Sequence, residues 1–382
     1  MALALAAIHF GVPLGYYSYL KKQLSKPWRL SLVHDHRPRV TVIVPVFNEA
    51  VLIEKRLENL RMTSYALHKL DIVVVDSGST DGTAELAEKW VARNPAIRVK
   101  VVRECIRHGK AHALNVAFRH VTGDVIVMTD ADSSWARGSL EGVVEYFSDP
   151  VVGAVTGTKE PEVSGLRARS TLETTYRSFY NSVRVAESKI HSTPIFNGEL
   201  AAYRTELVKA VGLFPEKVGA DDSHMAMLLA LRGYRAIAVP DAVVYELTPY
   251  TRRGYLRWKS RRALHLVQHF VKLLARLDAF PGDLRRIIIV EVFLHILNPW
   301  LLIASFLMLL VFLVTNPLSP LGLALALCGV LPFIPRQTRA LLRTWIVEQL
   351  VLLYASLSAL FSTQLTWTKI EEIRATNRAE SP

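Results

Sequence analysis

The chain has 382 residues, of which 51% are hydrophobic, and its formal net charge is +12. This length accommodates two or three domains of ordinary size, and the hydrophobic content is high for a soluble enzyme. The apolar residues concentrate at both ends, with Lys and Arg residues beside them. The basic charge therefore fits anionic lipid headgroups and an anionic substrate, and we expect no nucleic-acid partner. Two distant cysteines, Cys105 and Cys328, predict neither a disulfide framework nor a thiolate metal site.

An apolar segment, residues 1–21, opens the chain. The basic residues that end or follow it are Lys21, Lys22, Lys26 and Arg29. A secretory signal peptide carries its basic residues before the apolar run, so this order predicts an uncleaved transmembrane helix. The positive-inside rule then places residues 22–285 in the cytoplasm.

Strands and helices alternate in residues 38–250. The predicted strands of the first half are residues 40–48, 71–76, 98–103 and 123–132, and the helices between them are residues 49–62, 83–93 and 110–121. In the second half the pattern predicts strands at 151–155, 235–239 and 243–246, helices at 172–189 and 223–232, and a glycine loop that leads into a strand within 195–203. This alternation predicts an α/β fold with a Rossmann-like, mostly parallel sheet.

Polar side chains stand where the predicted parallel strands end. Asn48 and Glu49 follow the first strand, which we expect to stop at Pro45 because proline lacks a ladder donor. In the same way Asp76 ends the second strand, and the last strand ends in two acids, Asp130 and Asp132. Carboxyl ends of parallel strands share one edge, so these groups converge on one crevice.

The Asp-x-Asp pair has two possible geometries. If the strand persists, Asp130 and Asp132 point to the same side; a turn after Met128 splays them apart. Carboxylate oxygens are the ligands that Mg²⁺ and Mn²⁺ prefer, and these ions keep other positions for water and phosphate. The pair therefore predicts a metal-bound diphosphate, although Asp and Asn also end strands simply because they favour turns.

The rest of the chain is basic and then apolar. Residues 251–286 predict basic amphipathic or interfacial helices, residues 287–365 about three transmembrane helices, and residues 366–382 a polar tail. The predicted spanning segments lie within 287–314, where an interfacial helix leads into a spanning one around a break at Asn298–Pro299, and at 321–334 and 345–361. Ionisable residues inside these segments indicate either a polar path or snorkelling near helix ends. They are Glu291, His295 and Glu348.

Six motifs in a fixed order resemble the family 2 inverting glycosyltransferases with the GT-A fold, in the membrane-integrated branch of cellulose, chitin and hyaluronan synthases. They are Val-Pro-Val-Phe-Asn-Glu at 44–49, Val-Val-Asp-Ser-Gly-Ser-Thr-Asp-Gly-Thr at 74–83, Arg-His-Gly-Lys-Ala-His-Ala-Leu-Asn at 107–115, Asp-Ala-Asp at 130–132, the segment from Asn197-Gly198 to Arg204, and Asp221-Asp222. Each motif alone is weak, but this order and spacing are specific. The resemblance covers residues 39–265.

The resemblance implies how the donor is held. The nucleotide-sugar-binding residues that it implies are Pro45, Asn48, Glu49, Asp76, Lys110, Asp130 and Arg262. Among these, Asp76 would contact the base and Lys110 the uridine and diphosphate. Asp132 would ligate Mg²⁺ or Mn²⁺ on the diphosphate, with Asp130 at the metal and on the ribose or sugar side.

The resemblance also implies a general base and an acceptor site. Asp222 matches the catalytic Asp, while Asp221 stands where the family usually has Glu, so either acid is a candidate base; helix capping is the alternative reading of both. The implied acceptor-binding residues are Asn197, Gly198, Glu199 and Trp258. The Gln-x-x-Arg-Trp signature of processive synthases is incomplete, aligning with either Lys259–Ala263 or Gly254–Trp258.

These features predict an integral protein of the cell membrane, with a cytoplasmic glycosyltransferase domain that uses a nucleotide sugar, expected to be a UDP-sugar, and Mg²⁺ or Mn²⁺. The partners that we expect are this donor, a glycan or lipid acceptor, and the lipid bilayer. Two versions stay open, namely polysaccharide extension and transfer of a single sugar to a lipid acceptor. A reading from another class is a membrane transporter or receptor that binds a sugar nucleotide without chemistry.

Overall fold

A computed structural model describes residues 1–162, 167–249, 251–316, 319–320 and 336–361. The predicted spanning segment at 321–334 and the predicted polar tail at 366–382 lie outside the described residues. Within the described part, one eight-stranded sheet forms the centre of the region between residues 40 and 246.

The strands are β1 Val40–Val46, β2 Leu70–Ser77, β3 Arg98–Glu104, β4 Val125–Met128, β5 Ser133–Trp135, β6 Val152–Pro161, β7 Ala201–Arg204 and β8 Arg235–Glu246. They are ordered β3-β2-β1-β4-β7-β6-β8-β5. The first four in this order are parallel, β7 is antiparallel to both its neighbours, β6 and β8 are parallel, and β5 is antiparallel to β8. The sheet is therefore mixed and mostly parallel, which confirms the predicted fold class.

The helices of the described residues are α1 Ala2–Leu24, α2 Ile53–Arg61, α3 Thr83–Arg93, α4 Lys110–Phe118, α5 Ser139–Val144, α6 Arg167–Ile190, α7 Thr205–Ala210, α8 Asp221–Ala230, α9 Arg252–Leu274, α10 Gly282–Val292, α11 Asn298–Thr315 and α12 Arg336–Phe361. A π-helical turn, Phe293–Leu297, joins α10 to α11. The prediction for α3 is confirmed at both ends, whereas α2 begins four residues later than predicted because the chain first makes a turn at Asn48.

The sheet has a hydrophobic core on each face, because side chains alternate along a buried strand. In β1, Val42 and Val44 pack with Leu57 of α2 on one face. Ile43, which lies between them in sequence, packs with Leu114 of α4 on the other face. All five side chains are fully buried, as expected for a strand inside the sheet. The carboxyl end of β1 leads into the candidate site.

Three predicted strand boundaries were wrong, each for a local reason. β1 continues through Pro45, because its neighbour β4 pairs only as far as Ile43 and needs no donor from the proline. The last strand of the first half ends at Met128 and not at Asp132; of the two geometries left open for the acid pair, the turn after Met128 is the one observed, and Asp130 and Asp132 lie in it before β5. The two strands predicted at 235–239 and 243–246 form the single strand β8, with a register irregularity opposite Thr156 and Thr158.

Three helical segments of the described chain are long and apolar enough to cross a membrane: Ala2–Leu24, Gly282–Thr315 and Leu342–Phe361. The break predicted at Asn298–Pro299 was wrong, because the π-helical turn and the position of Pro299 in the first turn of α11 keep the helix continuous. Polar side chains tie these segments together. His9 Nδ1 lies 3.0 Å from the Asn298 carbonyl oxygen, and Trp345 Nε1 donates to His9 Nε2 at 3.0 Å.

Candidate active site

The Asp-x-Asp turn is supported from below by an arginine that the sequence analysis missed. Arg56 of α2 is 1% exposed and donates to Thr129 Oγ1 at 2.6 Å and to the Ser133 carbonyl oxygen at 3.1 Å. These two partners stand on either side of the acid pair, so the guanidinium fixes the turn that presents it. Burial lowers the pKa of Arg56 to about 9, while Asp130 and Asp132 oppose that shift.

Asp130 and Asp132 have different environments. Asp130 Oδ1 accepts from Lys110 Nζ at 2.6 Å. Asp132 makes no hydrogen bond or ion pair to the described part of the chain, and burial, followed by the neighbouring Asp130, raises its pKa to about 7. The turn thus holds one paired and one unpaired carboxylate.

The second acid pair lies in the first turn of α8, whose N-cap is Ala220. Burial raises the pKa of Asp221 to about 7 against the opposing effect of Lys110, and burial also raises the pKa of Asp222. Asp222 Oδ1 accepts from the Ser223 backbone N–H at 2.6 Å. A buried acid, Asp221, and a half-buried acid, Asp222, stand at one helix end with raised pKa values, which is typical of proton-transfer sites.

The side chains of Lys110 and Asp222 both approach the backbone at Gly198. A Cβ atom placed on Gly198 would lie 2.9 Å from Asp222 Oδ2 and 3.1 Å from Lys110 Nζ. Burial would lower the pKa of Lys110, but the surrounding carboxylates, with Asp130 first, outweigh that effect and raise it. Lys110 is therefore a permanent positive charge between the two acid pairs.

The carboxyl ends of β1 and β2 form a polar corner. Asn48, with φ of 54°, accepts from the Thr80 N–H at 2.7 Å and donates its own N–H to Ser79 Oγ at 2.7 Å. Asp76 Oδ1 accepts from the Ser79 N–H at 3.2 Å. Pro45 lies in β1 just before this corner, and the Glu49 N–H donates to Thr83 Oγ1 at 2.7 Å.

Glu104 extends this corner and was missed. It ends β3 directly beside Ser77 of β2, and its Oε2 accepts from Ser77 Oγ at 2.8 Å. Its Oε1 lies 3.2 Å from His112 Nε2, and its side chain is 9% exposed. Its sequence signal is the one that selected Asp76, an acid at the end of a parallel strand.

A buried ion cluster closes the other side of the site. Arg262 of α9 binds Glu199 at 2.9 Å and also binds Glu246, the last residue of β8. Lys159 of β6 lies 2.5 Å from Glu199 Oε1. Although burial alone would raise the pKa of Glu199, Lys159 and Arg262 lower it well below its usual range. Lys159 and Glu246 were missed because their partners are far away in sequence.

Two predicted acceptor residues are strongly buried. Trp258 is 3% exposed, and the Arg262 guanidinium lies 4.1 Å from its ring centroid. Asn197 is 4% exposed, donates Nδ2–H to the Gly157 carbonyl oxygen at 2.8 Å, and accepts from Arg184 Nη1 at 2.5 Å.

One cavity of about 150 Å³ brings most of the predicted site residues together. The predicted residues among its lining are Lys110, Asp130, Asn197, Gly198, Glu199, Asp221, Asp222 and Arg262. The corner formed by Pro45, Asn48, Glu49 and Asp76 lies outside this lining. Trp258 lines a neighbouring cavity of about 140 Å³ between α6, α9 and α12, which shares Asn197 and Arg262 with the first.

The acids of the site suit a metal that completes its coordination with ligand oxygens. No group of three or more potential His, Cys, Asp or Glu ligands occurs among the residues that the structure describes. The half-buried carboxylates of Asp130 and Asp132 can nevertheless supply one or two oxygens, which is how Mg²⁺ and Mn²⁺ are held when phosphates and water provide the rest.

Comparisons with known proteins agree with this geometry. Residues 41–212 match the sequence profile of Glycosyl transferase family 2. The structure is similar to the mannosyltransferase PcManGT from Pyrobaculum calidifontis in complex with GDP-Man and Mn²⁺, with a TM-score of 0.82 and 44% identity over 94% of this chain and 98% of that one.

Curated relatives are similar over the catalytic region. Poly-beta-1,6-N-acetyl-D-glucosamine synthase of Staphylococcus aureus is 29% identical over 230 residues, 59% of this chain and 54% of that protein. The probable glycosyltransferase YdaM of Bacillus subtilis is 25% identical over 65% of this chain and 60% of that protein. The chain thus spans little more than half the length of these relatives. Together with the fold, the match to the family 2 profile and the 44% identity to the mannosyltransferase over nearly its whole length show that the chain belongs to glycosyltransferase family 2 and has the GT-A fold.

Proposed function

We propose that this chain is a membrane-integrated glycosyltransferase that moves a sugar from a nucleoside diphosphate sugar to an acceptor hydroxyl, with inversion at the anomeric carbon. The observation that carries this proposal is the cavity in which Lys110 and Asp130 face Asp222. A cation beside an acid pair suits a diphosphate leaving group, and a second acid with a raised pKa suits an attacking hydroxyl.

The donor diphosphate is held at the Asp-x-Asp turn. Asp130 and Asp132 would hold Mg²⁺ or Mn²⁺, which as a Lewis acid stabilises the negative charge on the departing diphosphate. Lys110 adds a fixed positive charge at this end of the cavity, and Arg262 adds a second at the other side of the cavity. Both side chains are already held by carboxylates, so they need little reorganisation when the donor binds.

Asp222 is the proposed general base. Its carboxylate takes the proton of the acceptor hydroxyl while the hydroxyl oxygen bonds to the anomeric carbon, and the bond from that carbon to the diphosphate oxygen breaks on the opposite face. Attack opposite to the leaving group inverts the anomeric centre. Asp221, adjacent and also buried, is the alternative base, and comparing Asp222→Asn with Asp221→Asn decides between them. The variant that loses turnover while still binding the donor nucleotide has lost the base.

The nucleobase of the sugar donor distinguishes two proposals, a UDP-sugar and a GDP-sugar. The expectation of a UDP-sugar rests on the family resemblance, whereas the 44% identical mannosyltransferase binds GDP-Man. Glu104 supports guanine, because one carboxylate can accept from the two adjacent N–H groups of that base, while uracil offers one N–H between two carbonyl oxygens. We therefore propose a GDP-sugar, with a UDP-sugar as the alternative. Glu104→Gln is expected to weaken GDP binding about tenfold, measured by calorimetry, with UDP binding little changed.

Transfer of a single sugar is the version that we favour. Trp258 is buried beneath Arg262, which leaves little ring surface for stacking on a sugar chain. Asn197 and Glu199 line the cavity and are proposed to face the acceptor, with Gly198 between them giving it room. Polysaccharide synthesis is the second candidate, favoured by the similarity to a poly-N-acetylglucosamine synthase and by the three apolar helices.

The bilayer and the orientation belong to the same proposal. The segments Ala2–Leu24, Gly282–Thr315 and Leu342–Phe361 are proposed to span the membrane, with the catalytic domain in the cytoplasm as the basic residues after α1 indicate. A protease added to the outside of sealed cells should leave the catalytic domain intact. Cleavage within residues 38–250 by the external protease would show that the domain has the opposite orientation.

A further inference from the structure

A third cavity lies on the side of α8 that faces the carboxyl end of α9. It measures about 240 Å³, and the three basic side chains in its lining are His224, Lys272 and Arg276. The rest of its lining is apolar, namely Met227, Leu228, Leu231, Leu273 and Ala275. We call this cavity the α8–α9 pocket.

The positive charge of the α8–α9 pocket is not neutralised. Within the described residues Lys272 and Arg276 form no ion pair, and the polar contact of Lys272 Nζ is with the Lys217 carbonyl oxygen at 2.9 Å. His224 Nδ1 is buried and has no hydrogen-bond partner among the described residues. Burial lowers the pKa of His224 to about 4, so this imidazole is uncharged and the positive charge comes from Lys272 and Arg276. Basic groups without carboxylates above an apolar floor fit an anion that carries an apolar group.

The position of the pocket indicates where this anion comes from. Beside it on α9, Val271 and Leu274 are 52% and 41% exposed, although both are large and apolar. α10 begins at Gly282, the first residue of the 34-residue apolar segment Gly282–Thr315. The pocket therefore opens near the point where the chain is proposed to enter the bilayer, which is where basic residues meet anionic headgroups.

We propose that the α8–α9 pocket binds the phosphate of an anionic membrane phospholipid, with Lys272 and Arg276 contacting the phosphate and the leucines of the floor contacting the start of an acyl chain. A free phosphate shares the charge but not the apolar part. The bound lipid joins two helices of the catalytic site, because α8 begins with Asp221 and Asp222 and α9 carries Arg262. An effect of the lipid on sugar transfer rests on the proposed function, whereas lipid binding does not.

The test uses the full chain in nanodiscs of phosphatidylcholine, with fluorescent phosphatidylglycerol as the probe. The variant Lys272→Gln/Arg276→Gln is compared with Lys89→Gln/Arg119→Gln, which removes the same charge from exposed positions on α3 and after α4. We expect the first variant to bind the probe at least several-fold more weakly than wild type and the control to match wild type. Equal weakening in both variants would show diffuse attraction and overturn the proposed pocket.

Two further arms of the experiment distinguish a lipid phosphate from a free phosphate, and the lipid-site proposal from the transferase proposal. Inorganic phosphate is added as a competitor, and displacement of the probe by low millimolar phosphate would overturn a lipid ligand. Arg276→Gln alone, at an exposed position, repeats the test if the double variant does not fold, and unchanged probe binding there overturns the proposal. Nucleotide release is measured in the same nanodiscs. If wild type releases no nucleotide but the Lys272 and Arg276 variants still bind the probe more weakly, the transferase proposal fails while the lipid site stands.

Discussion

At the scale of the residue, Gly198 leaves no room for a side chain beside the proposed catalytic groups. The nearest atoms to a Cβ at this position are Asp222 Oδ2 and Lys110 Nζ, the proposed base and the fixed cation. An alanine would therefore push apart two groups that must face the same reacting centre. Asn197 and Glu199, on either side, are held by their own hydrogen bonds and ion pairs and cannot move to compensate.

Gly198→Ala is expected to lower kcat by about tenfold or more, because displacements of a few tenths of an ångström misalign base and substrate, with a smaller effect on donor affinity. Steady-state kinetics and calorimetry give the two quantities. Gly282→Ala is the control, since nothing lies within 4 Å of a Cβ there. Unchanged turnover in Gly198→Ala would contradict the close approach of Lys110 and Asp222.

At the scale of the element, α8 begins with two acids, of which Asp221 is buried and Asp222 is half-buried. The pKa of Asp221 is raised to about 7 and that of Asp222 is raised, in both cases chiefly by burial. An acid with a raised pKa stays protonated to a higher pH, and a protonated acid cannot act as a base. If Asp221 is the base, we therefore expect kcat/KM to rise as pH increases from 5 towards 8, with a slope of about one per pH unit in the acid range. If Asp222 is the base, the rise lies above the usual titration range of an aspartate. A rate that is flat between pH 5 and 7 would exclude Asp221.

The contact between α9 and α12 depends on a buried ion pair. Lys259 Nζ lies 2.7 Å from Glu348 Oε1, and their side chains are 8% and 13% exposed. Lys259→Met leaves Glu348 without its partner, so we expect a loss of about 3 kcal/mol in unfolding free energy, while Lys259→Met/Glu348→Met recovers part of it. Thermal unfolding in detergent measures both. Arg253→Met, an exposed change on the same helix, should have little effect, and an equal loss there would contradict this account.

At the scale of the whole molecule, the first half of the catalytic domain was predictable and the second half much less so. β2 and β3 were predicted within a residue or two of their ends. β2 is buried and its middle is a continuous apolar run, whereas β3 is a partly exposed edge strand in which basic residues flank the valines. The ion cluster around Glu199 was not predicted, because Lys159, Glu246 and Arg262 meet only through tertiary packing. Arg56 did leave a signal that was overlooked, as it lies on the buried face of α2 among Ile53, Leu57 and Leu60.

The candidate site was likewise predictable from the sequence only in part. The polar ends of β1, β2 and β4 could be placed on one edge from topology alone, which is why Asp76 and Asp130 were identified. The turn after Met128 and the burial of Trp258 depend on which side chains fill the space around them. The periodicity of the sequence carries no information about either feature.

The measurement that tests the central claim most directly is release of nucleoside diphosphate by the detergent-purified full chain. GDP-mannose and a panel of UDP-sugars are supplied with a lipid extract as acceptor, with and without Mn²⁺, and wild type is compared with Asp222→Asn. We predict release from one donor that requires Mn²⁺ and falls by about a thousandfold or more in the variant, which still binds the nucleotide. Equal release by wild type and Asp222→Asn would contradict the assignment of the base, and binding without release from any donor would favour a non-catalytic sugar-nucleotide-binding protein.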